Sequence, residues 1–197
     1  MAVWLTDEGT NGVDVHVAND TARPVSGELA VRLFARGRTP IGDVARTITV
    51  PARGGLTLGV EELLGRFVDA AYAYRFGPPG HDVIAATLTV GDAVLRDVHL
   101  PLGPPAGRTA PAAATVTAVA GAGAPGEPVA VQVTVTALAY GLGVEAPDFE
   151  PDDADLTLEP GGTATVVLHP IAPSATFTGG VVRATNLEGT APIAMAG

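Results

Sequence analysis

The sequence predicts an all-β protein of two consecutive immunoglobulin-like or fibronectin-III-like antiparallel β-sandwich domains. Three observations support this fold class. Apolar residues recur at every second position, Gly and Pro interrupt the apolar stretches at short intervals, and a proline-rich stretch lies near the middle of the 197 residues. A period of two is that of a strand with one buried face. Short strands separated by turn residues every roughly 8–12 positions are typical of sandwiches.

The alternation is clearest in the stretches GVDVHVAND, GELAVRLFARG, ARTITV, PVAVQVTVTAL and TATVVLHP. The residues predicted to face a core are Val13, Val15, Val17, Leu29, Val31, Leu33, Ile48, Val50, Val129, Val131, Val133 and Val135. The residues predicted to face outward are Asp14, His16, Ala30, Arg32 and Phe34. Each stretch therefore predicts a strand with one apolar and one polar face.

One segment departs from this period. Residues 60–70, VEELLGRFVDA, have helical spacing and predict one or two helical turns between strands. Tyr72, Tyr74 and Phe76 follow at alternate positions and predict three rings on one strand face. Such a row can bind carbohydrate or pack at a domain interface, and we favour packing.

The proline-rich stretch PLGPPAGRTAPAAA predicts the domain boundary. Four prolines within residues 101–114 cannot pair in a central strand and favour a stiff, extended connector. We therefore predict a first sandwich at residues 1–103, a linker at 104–114 and a second, acidic sandwich at 115–197. One large sandwich is the alternative, since the two halves show no internal repeat.

Charge and composition exclude several classes of partner. The formal net charge is −10 and all 11 basic residues are arginine. Residues 109–197 hold nine acidic residues and only Arg183, so most of the negative charge lies there. We expect no nucleic-acid partner and no anionic membrane partner, because both would be repelled. The absence of cysteine excludes disulfides and thiol nucleophiles. The start of the sequence has no basic or apolar signal segment. The location is left open, with the cytoplasm favoured.

The stretch VEAPDFEPDDADLTLEPGG carries seven carboxylates and raises the question of a site. It lacks the glycine that a helix–loop–helix calcium loop needs at its sixth position. Calcium binding by Asp152, Asp153 and Asp155 is the minority alternative. Neighbours such as Asp152 and Asp153 point to opposite faces of an extended chain, which disfavours a catalytic pair. We predict solvated turn residues.

The remaining reactive residues are scattered. We expect surface imidazoles at His16, His81, His99 and His169, and neither serine, Ser26 or Ser174, lies in a nucleophile motif. Trp4 is predicted to be a core residue, with a sugar-stacking platform as the alternative. We therefore predict no catalytic, cofactor-binding or metal-binding residue and no cofactor.

Three stretches resemble a known family. WLTDEGTNGVDVHVAND and LLGRFVDAAYAYRFGPPGHDVIAATL resemble the region after the catalytic barrel of bacterial β-mannosidases of glycoside hydrolase family two, and FEPDDADLTLEPGG resembles their last domain. The positions that match the last domain's pattern are Asp152, Asp153, Leu156, Leu158, Pro160 and Gly161. The departures are Ala154 and Asp155, where Asn and Tyr are usual, and Gly162, where Glu is common.

The resemblance implies a non-catalytic C-terminal region of an enzyme of carbohydrate metabolism. In that family two glutamates on a (β/α)₈ barrel perform hydrolysis, and such a barrel needs roughly 250 residues of alternating strand and helix. The implied partners are the catalytic barrel and a second copy in a homodimer, with Met1 added or present by chance. The alternatives are a carbohydrate-binding module that uses Tyr72, Tyr74 or Trp4, and a stand-alone adhesion-type sandwich.

Overall fold

The structure is a computed structural model that describes residues 1–121 and 123–196. Strands dominate it, which confirms the all-β prediction. The chain divides into two compact units, Met1–Gly103 and Pro104–Gly197, and each unit contains a β-sandwich with its own core. A size of roughly 100 residues is that of an immunoglobulin-like domain.

The first unit is built from seven strands and one short helix. They are β1 (Ala2–Asp7), β2 (Val13–Asn19), β3 (Val25–Ala35), β4 (Thr39–Val50), β5 (Gly54–Gly59), α1 (Val60–Leu64), β6 (Val83–Val90) and β7 (Ala93–His99), with a 3-10 turn at Gly9–Asn11. One antiparallel sheet has the order β1-β2-β5 and the other the order β4-β3-β6-β7. This pairing of a three-stranded with a four-stranded sheet is fibronectin-III-like.

Aliphatic side chains fill the space between these two sheets. Val13, Val15 and Val17 of β2 are buried, as the alternation predicted, and they face buried residues of β3 such as Leu29 and Leu33. The buried core cluster of this unit, all of whose residues the structure describes, consists of Val, Leu, Ile and Ala. Each buried Val, Leu or Ile side chain contributes about 1.5–3 kcal/mol relative to exposure.

The outward prediction for Phe34 is wrong. Its side chain is 4% exposed, although it lies on the opposite face of β3 from Leu33. Phe34 pairs with Val83, and four consecutive residues of β6, from Val83 to Ala86, are all buried. The four-stranded sheet is therefore buried on both faces at this end, which alternation alone does not reveal.

The second unit is also a sandwich. Its elements are β8 (Ala110–Pro111), α2 (Ala112–Thr115), β9 (Val116–Ala120), β10 (Val129–Val135), β11 (Ala139–Glu145), β12 (Phe149–Pro151), β13 (Leu156–Leu158), β14 (Thr163–Pro170), β15 (Val181–Arg183), β16 (Leu187–Glu188) and β17 (Ala191–Met195). One layer has the order β12-β14-β10-β9 and the other the order β15-β11-β13. Strand β17 pairs antiparallel with β15 and then parallel with β9, so it joins the layers.

The core of this unit contains the predicted valines of β10. Val129, Val131, Val133 and Val135 are all buried and pack in one cluster with residues of both layers. The aromatic residue among the buried members of that cluster is Phe149, against which Phe177 packs edge-on at 5.7 Å between ring centroids. The period of two therefore predicted the inward residues of this strand correctly.

We predict that the second unit folds alone and that trypsin cuts the chain first at Arg108. Arg108 is exposed and lies just before Thr109, whose amide donates to the Asn186 carbonyl (3.1 Å). Exposed connectors are cut before paired strands. Limited proteolysis followed by mass spectrometry should release a fragment of residues 109–197 that melts cooperatively.

The matched control is Arg108→Gln, which should remove the early cut and leave later ones unchanged. Earlier cleavage at Arg36 or Arg75, with Arg108 resistant, would show that the two halves do not separate at this position.

Candidate functional site

Aromatic residues are concentrated in the segment between α1 and β6, residues 65–82, which we call the aromatic loop. It holds Phe67, Tyr72, Tyr74 and Phe76, four of the nine aromatic residues in the sequence. The prediction that Tyr72, Tyr74 and Phe76 share a strand face is wrong, because this segment contains no strand. Tyr72 and Arg75 have left-handed backbones (φ 51° and 53°), which strand geometry does not allow.

One carboxylate fixes the turn of the aromatic loop. Asp69 Oδ1 accepts a hydrogen bond from the Ala73 amide (2.8 Å), and Oδ2 accepts from the amides of Tyr74 (3.1 Å) and Arg75 (3.3 Å). Hydrogen bonds to an ionised acceptor are stronger than neutral ones. They offset the conformational cost of the left-handed residues beside them.

Further hydrogen bonds tie the loop to itself and to the sandwich. The hydroxyl of Tyr72 donates to the Gly77 carbonyl, and that of Tyr74 donates to the Thr10 carbonyl, each at 3.0 Å. His81 is 5% exposed, so the expectation of a surface imidazole is wrong for this residue. Its Nε2 lies 3.1 Å from the Ala70 carbonyl oxygen, to which a protonated Nε2 donates.

The rings of this well-anchored loop are nevertheless exposed. Phe67 is 75%, Tyr74 42% and Phe76 89% exposed, and Tyr74 lies 6.0 Å from each of the two phenylalanine rings between centroids. Beside them is a cleft of about 300 Å³ lined in part by Ile41, Tyr72, Phe76 and Pro79. A contiguous apolar surface of this kind is typical of an interaction site.

A second exposed aromatic group lies on the outer face of the β1-β2-β5 sheet. The prediction that Trp4 is a core residue is wrong, because Val3 points inward and Trp4 outward on β1, and Trp4 is 40% exposed. Its ring stacks on that of its cross-strand partner His16, with 5.2 Å between centroids and 15° between planes. His16 faces outward, as predicted, and is half-buried.

Polar groups surround this stack. Thr6 Oγ1 lies 2.8 Å from His16 Nε2 and donates to Glu8 Oε1 at 2.8 Å, while His16 Nδ1 lies 3.1 Å from Thr57 Oγ1. Within residues 1–121 and 123–196, the group whose potential metal-ligand atoms all lie within 4.8 Å of one another is Glu8, Asp14 and His16. Nothing in the sequence pattern pointed to this group, since Glu8 belongs to a turn and the other two to a strand.

The carboxylates of the acidic stretch VEAPDFEPDDADLTLEPGG are mostly exposed to solvent. Six of its seven carboxylates are exposed, and Asp152 Oδ1 accepts a hydrogen bond from the Val167 amide at 2.8 Å. The prediction of solvated residues is wrong for Glu159, which is 2% exposed. The turn that contains Glu159 is held against the end of β10, because the Gly161 amide donates to the Val135 carbonyl (2.9 Å) and the Val135 amide to the Gly162 carbonyl (3.0 Å).

The structure gives a steric reason for glycine at position 162, where the family pattern commonly has Glu. A Cβ atom at this position would lie 2.8 Å from the carbonyl oxygen and 2.9 Å from Oε2 of Glu159, so any side chain here would displace that residue. Glu159 therefore supplies the buried carboxyl group of this turn. Its close approach to the backbone at position 162 leaves room only for glycine there.

The remaining histidines and the two serines considered in the sequence analysis lie apart from one another. His169 is exposed on β14, and the hydroxyl of Ser26 lies 2.8 Å from Thr49 Oγ1 across the β3–β4 pair. Ser174 is exposed in the loop after β14. His99 is mostly buried at the end of β7, 3.9 Å from Asp7 between Nε2 and Oδ2, which corrects the surface expectation for this residue. In the described part of the chain, no helix is long and apolar enough to cross a membrane.

Comparisons with known proteins bear on the fold. No family model matches the sequence, and no curated protein matches it. The solved β-D-mannosidase from Dictyoglomus thermophilum is similar in structure, with a TM-score of 0.59 and 14% identity over 94% of this chain and 22% of that chain. This chain therefore spans about a fifth of the length of that enzyme, and the likeness is one of fold.

Two other solved structures align over nearly the whole of both chains with low scores. The D0-D1 domain of intimin gives a TM-score of 0.30 at 10% identity, covering 98% of this chain and 95% of that chain. A protein of unknown function from Porphyromonas gingivalis W83 gives 0.27 at 13% identity, covering 98% and 96%.

His99 generates a prediction about pH. Burial lowers the pKa of His99 below its usual value of 6.5, and the carboxylates of Asp7 and Asp97 act against this shift. The unfolded chain therefore binds a proton at His99 more readily than the folded chain does. The stability contributed by neutral His99 is complete above about pH 6.5 and is lost as the pH falls through the pKa of His99 in the folded chain.

Melting temperatures between pH 7.5 and 5.0 should decrease less for His99→Gln than for the wild type. Equal decreases would exclude this role.

Asp69 generates a second prediction. Asp69→Asn removes the charge and one acceptor oxygen, so we expect a loss of about 1–3 kcal/mol in the free energy of unfolding. Hydrogen exchange at the amides of residues 73–75 should accelerate. Asp92→Asn, in the exposed β6–β7 turn, is the matched control. Unchanged exchange at residues 73–75 in Asp69→Asn would show that the carboxylate does not hold the loop.

Proposed function

We propose that this chain is a non-catalytic accessory region of a larger β-mannosidase-like glycoside hydrolase of family two. The observation that carries the proposal is the alignment of both consecutive sandwiches, over 94% of this chain, with 22% of a β-mannosidase. The resemblance of three sequence stretches to the region after the barrel and to the last domain of such enzymes supports it independently, because those stretches occur in the same order.

In this proposal the sandwiches support the catalytic barrel, and the aromatic loop provides the contact surface. Phe67 and Phe76 are the most exposed aromatic residues of the described chain, yet the hydrogen bonds of Asp69 fix the turn that presents Phe76. Rigid aromatic side chains are typical anchors of protein interfaces, because little conformational entropy is lost when they bind. The cleft beside them would receive an apolar side chain of the barrel.

The chemistry of hydrolysis is assigned to the barrel. A retaining glycosidase needs two carboxyl groups about 5–5.5 Å apart on either side of one glycosidic bond. The carboxylates of Glu8 and Asp14 are close enough in distance but stand together on one exposed sheet face. An open face does not enclose a sugar ring between them, so we assign them no part in hydrolysis.

The test uses the chain alone and the polypeptide translated from its complete reading frame. The chain alone should release only background nitrophenol from an aryl β-mannoside, whereas the complete polypeptide should hydrolyse it. The double substitution Phe67→Ser/Phe76→Ser should lower the inactivation temperature of the complete polypeptide and leave the melting of the isolated chain nearly unchanged.

Ile171→Ser is the matched control, because Ile171 is 64% exposed in the second unit and lies outside the aromatic loop. Turnover by the isolated chain that is lost in Asp14→Asn would contradict the non-catalytic assignment. An inactivation temperature unaffected by the double substitution would contradict the role of the aromatic loop.

A further inference from the structure

We propose that the outer face of the β1-β2-β5 sheet binds a neutral glycan, with a pyranose ring stacked on Trp4. We call this surface, formed by Trp4, Thr6, Glu8, Asp14 and His16, the tryptophan face. This inference goes beyond the accessory role and does not depend on it, because it rests on the contacts and exposure of these five residues, whichever larger protein contains them.

The imidazole of His16 supports one face of the Trp4 ring. The two rings are stacked, and both ring nitrogens of His16 are within 3.1 Å of threonine hydroxyls, from Thr6 on β1 and Thr57 on β5. The imidazole is therefore fixed across three strands. A platform that is already ordered loses little conformational entropy when a ligand binds.

A ligand can reach the exposed part of the ring, since Trp4 is 40% exposed on the outer face of the sheet. Strand β1 is the edge of its hydrogen-bonded sheet, and β7 lies beside that edge, where Asp97 Oδ2 accepts a hydrogen bond from the Leu5 amide (2.8 Å). The next residues outward along the strands are small, since Ala2 pairs with Ala18 and Ala18 with Gly55. The aromatic stack therefore projects above its neighbours on that side.

On the other side of the stack the face becomes polar. Thr6 pairs with Asp14, and Glu8 follows in the turn, so hydroxyl and carboxylate oxygens begin about 6.6 Å from Trp4 along the strand. That spacing suits a sugar whose apolar face covers the indole while its hydroxyl groups donate to the carboxylates. Ligand sites typically combine aromatic surface with a few convergent polar groups in this way.

The charge of the surface selects the class of glycan. Two carboxylates lie beside the platform, and the whole chain has a net charge of −10. An acidic polysaccharide or a phosphorylated sugar would be repelled.

The experiment uses the fluorescence of the only tryptophan in the sequence, which reports directly on this face. The complete 197-residue chain is titrated with mannopentaose, with cellopentaose and with the anionic pentamer of galacturonic acid. At least one neutral oligosaccharide should change the emission in a saturable manner, and the anionic one should not. Calorimetry should then show binding weakened at least about tenfold in Trp4→Ala and in Asp14→Asn, which corresponds to about 1.4 kcal/mol or more.

Three further variants separate binding from folding. Trp4→Phe keeps a ring and should retain intermediate affinity, and His16→Ala should weaken binding several-fold because the platform loses its support. Phe76→Ala removes an exposed ring of the aromatic loop and should bind like the wild type. The proposal is overturned if neither neutral oligosaccharide binds at 10 mM, a concentration that covers weak affinities, or if folded Trp4→Ala binds as well as the wild type. Equal binding of the anionic pentamer would also overturn it.

Discussion

The packing of small aliphatic side chains between paired sheets is the constraint on which the rest of this structure depends. Valines and leucines at alternate positions fill both cores, from Val13, Val15 and Val17 in the first unit to Val129 and Val131 in the second. Apart from Phe149, the buried members of the two core clusters are aliphatic. The sequence has only nine aromatic residues, and four of them, Trp4, Phe67, Tyr74 and Phe76, are exposed. The surface therefore carries the large rings that many domains bury.

The exposed rings share a second physical feature, which is that polar groups support them. The Asp69 carboxylate binds three successive amides of the aromatic loop, and the hydrogen-bonded imidazole of His16 lies behind Trp4. Exposed rings without such support lose entropy when a partner fixes them. In this protein the ordering is present before any partner arrives, which is the property expected of binding surfaces.

Alternation in the sequence was enough to predict the all-β fold and the inward residues of β2, β3 and β10. It could not predict Trp4 as an outward residue, because hydropathy favours burial of indole while the register of β1 places Val3 inside. It also predicted a strand at Tyr72, where an aspartate three positions earlier accepts the backbone amides that a strand would have paired. The burial of His81 and Glu159 depends on loop contacts between residues distant in sequence, as does the meeting of Glu8 with Asp14 and His16.

The proposed function depends on the inference that these two sandwiches belong to a larger β-mannosidase-like enzyme. This fold covers 22% of the chain of the solved β-D-mannosidase, so most of that protein lies outside the aligned part. The most direct test is to sequence the genomic DNA immediately upstream of codon 1. The account predicts that the reading frame continues upstream through roughly 250 codons of alternating strand and helix patterns, with two glutamates at strand ends. An in-frame stop codon close upstream of codon 1 would contradict it.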